Sequence, residues 1–95
     1  MASEPTLVLT PEVMTAVKAT PMTKVESQLL KEIGYNEPNR IMRVRFTNNT
    51  VYLYSGITKK MYDEFARAES KGVWFGKNIR AHASLYPFAP EPKEE

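Results

Sequence analysis

This 95-residue sequence contains no cysteine. That excludes disulfide staples, thiolate zinc sites and a cysteine nucleophile, and it suits a reducing compartment. It contains one histidine. A lone histidine cannot build a histidine-rich metal centre, and His82 has no carboxylate or nucleophile near it in sequence to act with. Apolar runs are short. None approaches the roughly 20 residues of a membrane-spanning helix, and no basic-then-apolar leader opens the chain. A cytoplasmic protein without a membrane partner is expected. Glycine-rich phosphate loops, nucleophile elbows and acidic metal clusters are also missing. Asp63 and Glu64 are neighbours on a predicted helix and point about 100° apart, so they do not share a proton or clamp a metal. The expectation is a protein that is not an enzyme, with no cofactor and no metal.

What the sequence does carry is an uneven charge. The net charge is +2, yet residues 23–88 hold eleven Lys/Arg against six Asp/Glu, while both ends are slightly acidic. A basic body with acidic ends favours an anionic partner. The length allows one domain. The expected boundaries are a 1–22 extension with a short helix, a compact body over 23–88 and an acidic, proline-rich tail over 89–95.

Along the chain, Met1 to Thr6 reads as disordered. Thr10 followed by Pro11 is a helix start, with Leu9 and Met14 placed as a hydrophobic staple. That helix should reach about Ala19 and stop before Pro21. Its Val13, Met14 and Val17 side must dock either on its own domain or on another subunit, because so short a helix is marginal alone. Ser27 to Tyr35 reads as a first strand, and Asn36-Glu37-Pro38-Asn39 as a turn into a second strand at Arg40. After Gly56, Thr58 caps a helix from Lys59 to about Lys71, with Gly72 as a left-handed stop. Met61, Phe65 and Ala68, flanked by Tyr62, form its apolar stripe. Val73-Trp74-Phe75-Gly76 reads as a buried turn, Lys77 to about Ala83 as a second short helix, and Pro87, Pro90 and Pro92 as an extended tail. The predicted fold is α+β: a three-stranded antiparallel meander packed against one main helix, with a short C-terminal helix and an N-terminal helical extension. A body of this size has a barely sufficient core, so burial against another copy, a homo-oligomer, is expected.

The stretch from Arg43 to Tyr54 carries the most chemistry. Asn48-Asn49 suits a tight hairpin turn, since asparagine tolerates positive φ. Reversal at those two residues pairs Phe46 with Val51, Arg45 with Tyr52, Val44 with Leu53 and Arg43 with Tyr54. Alternation then gives a core face of Val44, Phe46, Val51 and Leu53, and an outer face of Arg43, Arg45, Tyr52 and Tyr54. Phenol rings can stack bases and guanidinium groups can meet phosphates. The same pattern also suits an ordinary solvated sheet face. Lys59 and Lys60 at the start of the main helix add positive charge where an anion would be welcome. Lys77 and Arg80 lie three apart and form another candidate clamp. Trp74 is a candidate stacking ring, with the core beside Phe75 as its other placement.

From Val25 to about Tyr86 the chain resembles the KTSC domain family. Val25-x-Ser27 and Ile33-Gly34-Tyr35 resemble its opening. Val44-x-Phe46 and Val51-Tyr52-x-Tyr54 resemble its central strands. Tyr62, Ala68-x-Ser70-x-Gly72, Phe75 and Ile79-Arg80 resemble its C-terminal half. Gln28, Asn36, Thr58, Gly76 and Ala83 depart from its usual residues. The family takes its name from the C-terminus of some lysyl-tRNA synthetases, which implies RNA binding. Its stand-alone bacterial and phage members imply other roles, so a phage source is one expectation. Three functions follow. One is a binding module for single-stranded RNA or DNA. Another is a small-nucleotide binder, such as an oligomeric phage sponge that sequesters a cyclic dinucleotide or ADP-ribose-like signal against host defence. The third is a protein-interaction module using the same tyrosines and arginines.

Overall fold

Thr10 has an extended backbone, and its Oγ1 accepts the Val13 N–H at 3.2 Å. With Pro11 at the first helical position, this starts α1, Pro11–Lys18, which Ala19 closes. In the computed structural model, which describes residues 9–82 and 84–91, the chain then forms β1 (Thr23–Lys24), β2 (Leu30–Asn36), β3 (Ile41–Phe46) and β4 (Val51–Tyr54). After these come α2 (Lys59–Arg67), α3 (Lys71–Asn78), a 3-10 turn (Arg80–His82) and β5 (Phe88–Pro90). The five strands form one antiparallel sheet in chain order, β1-β2-β3-β4-β5. The fold is therefore α+β. The expected three-strand meander is its centre, β2-β3-β4, and it gains an edge strand on each side. The disorder expected for Met1–Thr6 lies outside the described residues.

Several local expectations change. The first strand begins at Leu30 rather than Ser27, because Ser27 Oγ accepts the Leu29 and Leu30 N–H groups and holds a bend there. The expected helix over Lys59–Lys71 is two helices. Thr58 caps α2 through the Met61 N–H, but Ala68 is extended and Ser70 caps a new helix through Val73. Gly72 thus sits in the first turn of α3 instead of stopping a helix. Val73 to Gly76 is helical instead of a turn, which aims Phe75 at the core and leaves Ile79 buried at the helix's end. The helix expected from Lys77 to about Ala83 is the end of α3 followed by the 3-10 turn, and Ala83 lies outside the described residues.

The change of hairpin register matters most. The hairpin pairs Met42 with Tyr54, Arg43 with Leu53, Val44 with Tyr52 and Arg45 with Val51, one residue out of step with the expected pairing. Phe46 and Thr50 close the loop through Phe46 N–H to Thr50 O at 2.9 Å, and Asn49 N–H returns to Phe46 O at 2.8 Å. Asn49 takes φ 71°, the left-handed region. This is a turn followed by a left-handed residue, which makes an odd loop of Thr47, Asn48 and Asn49 rather than a two-residue one. A slip of one residue moves every side chain of one strand to the other face.

One face of the sheet therefore carries Ile33, Tyr35, Met42, Val44, Phe46, Tyr52, Tyr54 and Phe88. Phe65 of α2, Phe75 of α3, Ile57 and Ile79 cover much of it to form the main core. The opposite face carries Ile41, Arg43, Arg45, Val51 and Leu53. Here α1 lays Val17 on Ile41 and Leu53, with Leu9, Val13 and Met14 around them. The first helix docks on its own domain, so this chain supplies from its own extension some of the extra burial expected from another copy.

Candidate functional site

The register separates the four residues expected to share one face. Arg43 is 7% exposed on the α1 side. Its Nε and Nη2 donate to the two carboxylate oxygens of Glu91 at 3.0 Å each, and its Nη1 donates to Thr20 O at 2.7 Å. Arg45 lies on the same side, with its Nε donating to Glu32 Oε1 at 2.8 Å. Both guanidinium groups are paired within the fold, and neither stands beside Tyr52 or Tyr54. The expected basic-aromatic quartet is not formed, and the cause is the odd loop.

The tyrosines instead line a groove on the helical side of the sheet. Tyr54 is buried and Tyr52 half-buried, with ring centroids 6.5 Å apart. Phe46 meets Tyr52 edge-on at 5.9 Å, Phe75 meets Tyr54 edge-on at 5.3 Å, and Phe88 stacks on Tyr54 at 5.6 Å. Edge-to-face and offset geometries suit the ring quadrupoles and fix the lining. The groove has a volume of about 450 Å³, and Leu29, the polar Thr47, Asn48 and Thr50 at the hairpin's turn, and Arg80 complete its lining. Arg80 is exposed, with its guanidinium carbon 5.5 Å from the centre of the Phe75 ring. It is the one cation among the described residues lining the groove. Burial pushes the Tyr54 phenol up to about 12, against a smaller downward pull from Arg80. The phenol therefore stays neutral at ordinary pH and does not repel an anion.

Of the residues singled out from sequence, the structure brings Tyr52, Tyr54 and Arg80 together. Trp74 is elsewhere, stacked on Phe65 at 4.9 Å and half-buried. Lys59 reaches Asp63 at 3.1 Å on the exposed face of α2, with Lys60 exposed beside it. Lys77 is exposed in the last turn of α3 and does not line the groove. Phe46 is in the core, as expected from sequence, and also lines the groove; Phe88, the last residue of the expected body, was given no role in sequence and lines it too. Pro90 disguised β5 as a tail, although proline is at home in an edge strand. Among the described residues no group of three or more His, Asp or Glu could hold a metal ion, and no helix is long and apolar enough to cross a membrane.

These features define a small α+β domain with helices on both faces of an antiparallel sheet and an aromatic groove on one of them. The family model for the KTSC domain matches residues 26–82. The chain belongs to the KTSC domain family. A protein of Tsukamurella paurometabola is 35% identical over 51 residues, 54% of this chain and 76% of that protein. A crystal structure of a KTSC domain protein from Yersinia pestis is similar with a TM-score of 0.70 at 26% identity, covering 76% of this chain and 97% of that one. The matched segment runs from just before β2 to the 3-10 turn. It leaves out α1, β1 and β5.

Proposed function

We propose that this KTSC domain is a non-catalytic binding module for nucleotide-type ligands, and that the groove between the hairpin and the 3-10 turn is its site. One observation carries the reading: an aromatic cleft of about 450 Å³ holds a half-buried Tyr52 ring and a single exposed guanidinium, Arg80. The volume falls in the lower part of the range of roughly 300–1,000 Å³ that small-molecule sites occupy. A base placed against Tyr52 gains about 1–3 kcal/mol of stacking. Arg80 sits at the edge, where it can meet a phosphate with two parallel N–H donors. The threonine and asparagine lining supplies donors and acceptors for the polar edge of a base or a sugar. The ligand is one nucleotide unit, either free as a small signal or presented by a single strand.

Calorimetric titration with adenosine monophosphate and with a short single-stranded oligonucleotide tests this. The expected result is binding of at least one of them, weakened about tenfold or more by Tyr52→Ala, in line with the loss of one stacked base. Arg80→Ala should have a similar effect on any ligand that carries phosphate. Unchanged affinity in both variants, or no binding of either probe, would overturn the assignment and leave protein recognition as the use of this face.

A further inference from the structure

We propose that Arg43 and Glu91 are positioning residues for the groove, acting through the sheet from its opposite face. The proposal rests on the nucleotide reading of the groove for its functional consequence, though not for its structural content. β5 is only three residues long and ends in Pro90, which has no N–H to give to the ladder. Its pairing places Phe88 opposite Tyr54, where the ring stacks to form a wall of the groove. So short an edge strand is a segment that frays on its own.

The next residue is its anchor. Glu91 donates its N–H to Val51 O at 2.9 Å and turns its carboxylate to the α1 side of the sheet. There Arg43 grips both carboxylate oxygens, in a pair whose side chains are 9% and 13% exposed. The third guanidinium nitrogen of Arg43, Nη1, donates to Thr20 O just past the end of α1. Both tied segments lie outside residues 26–82, which the family model covers. The two flanks of this chain thus converge on one guanidinium, and the groove owes its Phe88 wall to that contact. Arg43, read from sequence as a phosphate ligand, acts on the site without touching what the site holds.

Amide hydrogen exchange on the full chain tests the clamp directly. The Ser55 N–H, which donates to Pro87 O at 2.8 Å, reports on β5, and the β2–β3 amides serve as the internal control for folding. In Glu91→Ala, Ser55 exchange should rise roughly 10- to 100-fold, as when a buried hydrogen-bonded charge loses its partner, while β2–β3 protection persists. Glu91→Gln keeps an acceptor oxygen and should restore part of the protection; it is also the variant to read if the alanine chain does not fold. Unchanged Ser55 exchange in both variants would overturn the clamp. Adenosine monophosphate titration then tests the coupling. Glu91→Ala and Phe88→Ala should each weaken binding, and the double variant should be no weaker than Phe88→Ala alone. Additive losses would show that Glu91 does not act through Phe88 and would overturn the positioning role. If the unaltered protein does not bind the nucleotide, the nucleotide reading fails, while the exchange result still decides the clamp.

Discussion

Replacing Phe75 by alanine should remove a large share of the protein's stability. Phe75 is fully buried on α3. It meets Phe46 at 5.7 Å, Tyr54 at 5.3 Å and Phe65 at 6.2 Å, and it lies under the Arg80 guanidinium. It therefore joins the helical layer to the floor of the groove. A buried phenylalanine cut to alanine costs about 3–5 kcal/mol, and the cost depends on how far the surroundings collapse into the cavity. Here the neighbours are stiff rings held by a sheet and a second helix, which sets the expected loss near the upper half, about 4 kcal/mol. A domain of this size has a total stability of only about 5–15 kcal/mol. Phe75→Leu keeps most of the buried volume but loses the ring contacts, each worth about 0.5–1.5 kcal/mol, so about 2 kcal/mol is expected. Urea unfolding followed by Trp74 fluorescence reads both variants, because that indole is stacked on Phe65 in the same layer. A loss below about 1.5 kcal/mol for alanine would refute the docking of α3 through Phe75, since that is less than any well-packed phenylalanine gives. Equal losses for leucine and alanine would refute the share assigned to buried volume.

Two further predictions follow from single contacts. Gly34→Ala would place a Cβ 2.6 Å from Pro21 O and 2.9 Å from Met22 Cγ, and the backbone carbonyl cannot move without shifting the α1–β1 link. Thermal melts should show a destabilisation of about 2 kcal/mol, and a melt that matches the unaltered protein would contradict that close crossing. The Tyr54 phenol, raised to about 12 in the folded chain from 10.0 when exposed, favours the folded state in its neutral form. Its contribution is full below pH 10 and is lost as pH climbs through 12, by up to about 3 kcal/mol. Tyr35 and Tyr62 are shifted in the same direction, chiefly by burial, so the comparison with Tyr54→Phe isolates this share. A phenylalanine variant that loses stability just as steeply between pH 10 and 12 would contradict it.

The helix starts were legible in the sequence because capping is local. Thr10 and Thr58 do what an oxygen before a helix does, and each bonds an N–H three residues on. Ser70 carries the same signal, yet the helical pattern running through Arg67 to Lys71 concealed the break before it. Strand positions were legible from alternation, but register was not. The Asn48-Asn49 pair fits both an even and an odd loop. The choice is made by Asn49 taking the left-handed conformation while Lys31 Nζ reaches its Oδ1 at 2.9 Å, a contact from a strand eighteen residues away. Likewise nothing near Arg43 in sequence foretells Glu91, 48 positions on, which takes two of its three guanidinium nitrogens. Tyr52, Tyr54 and Arg80 were found as residues, but their companions Phe46 and Phe88 depend on the register and on β5.

That one-residue difference also decides how much of the binding under the proposed reading is electrostatic. With Arg43 and Arg45 outward, two guanidinium groups would have tracked a phosphate backbone, and affinity would have fallen with salt by about 0.7 log units per contact for each tenfold rise in salt on a single strand. In the fold both are held by carboxylates, and the groove is left with Arg80 alone. One phosphate contact gives a shallow salt dependence. The larger share then comes from stacking, which salt barely screens and which every base can provide. A cleft built this way discriminates poorly by charge, so selectivity falls to the shape between Tyr52 and Phe88 and to the polar lining of Thr47, Asn48 and Thr50. Selectivity is thereby tied to β5, the strand that carries Phe88 and whose anchor lies on the far side of the sheet.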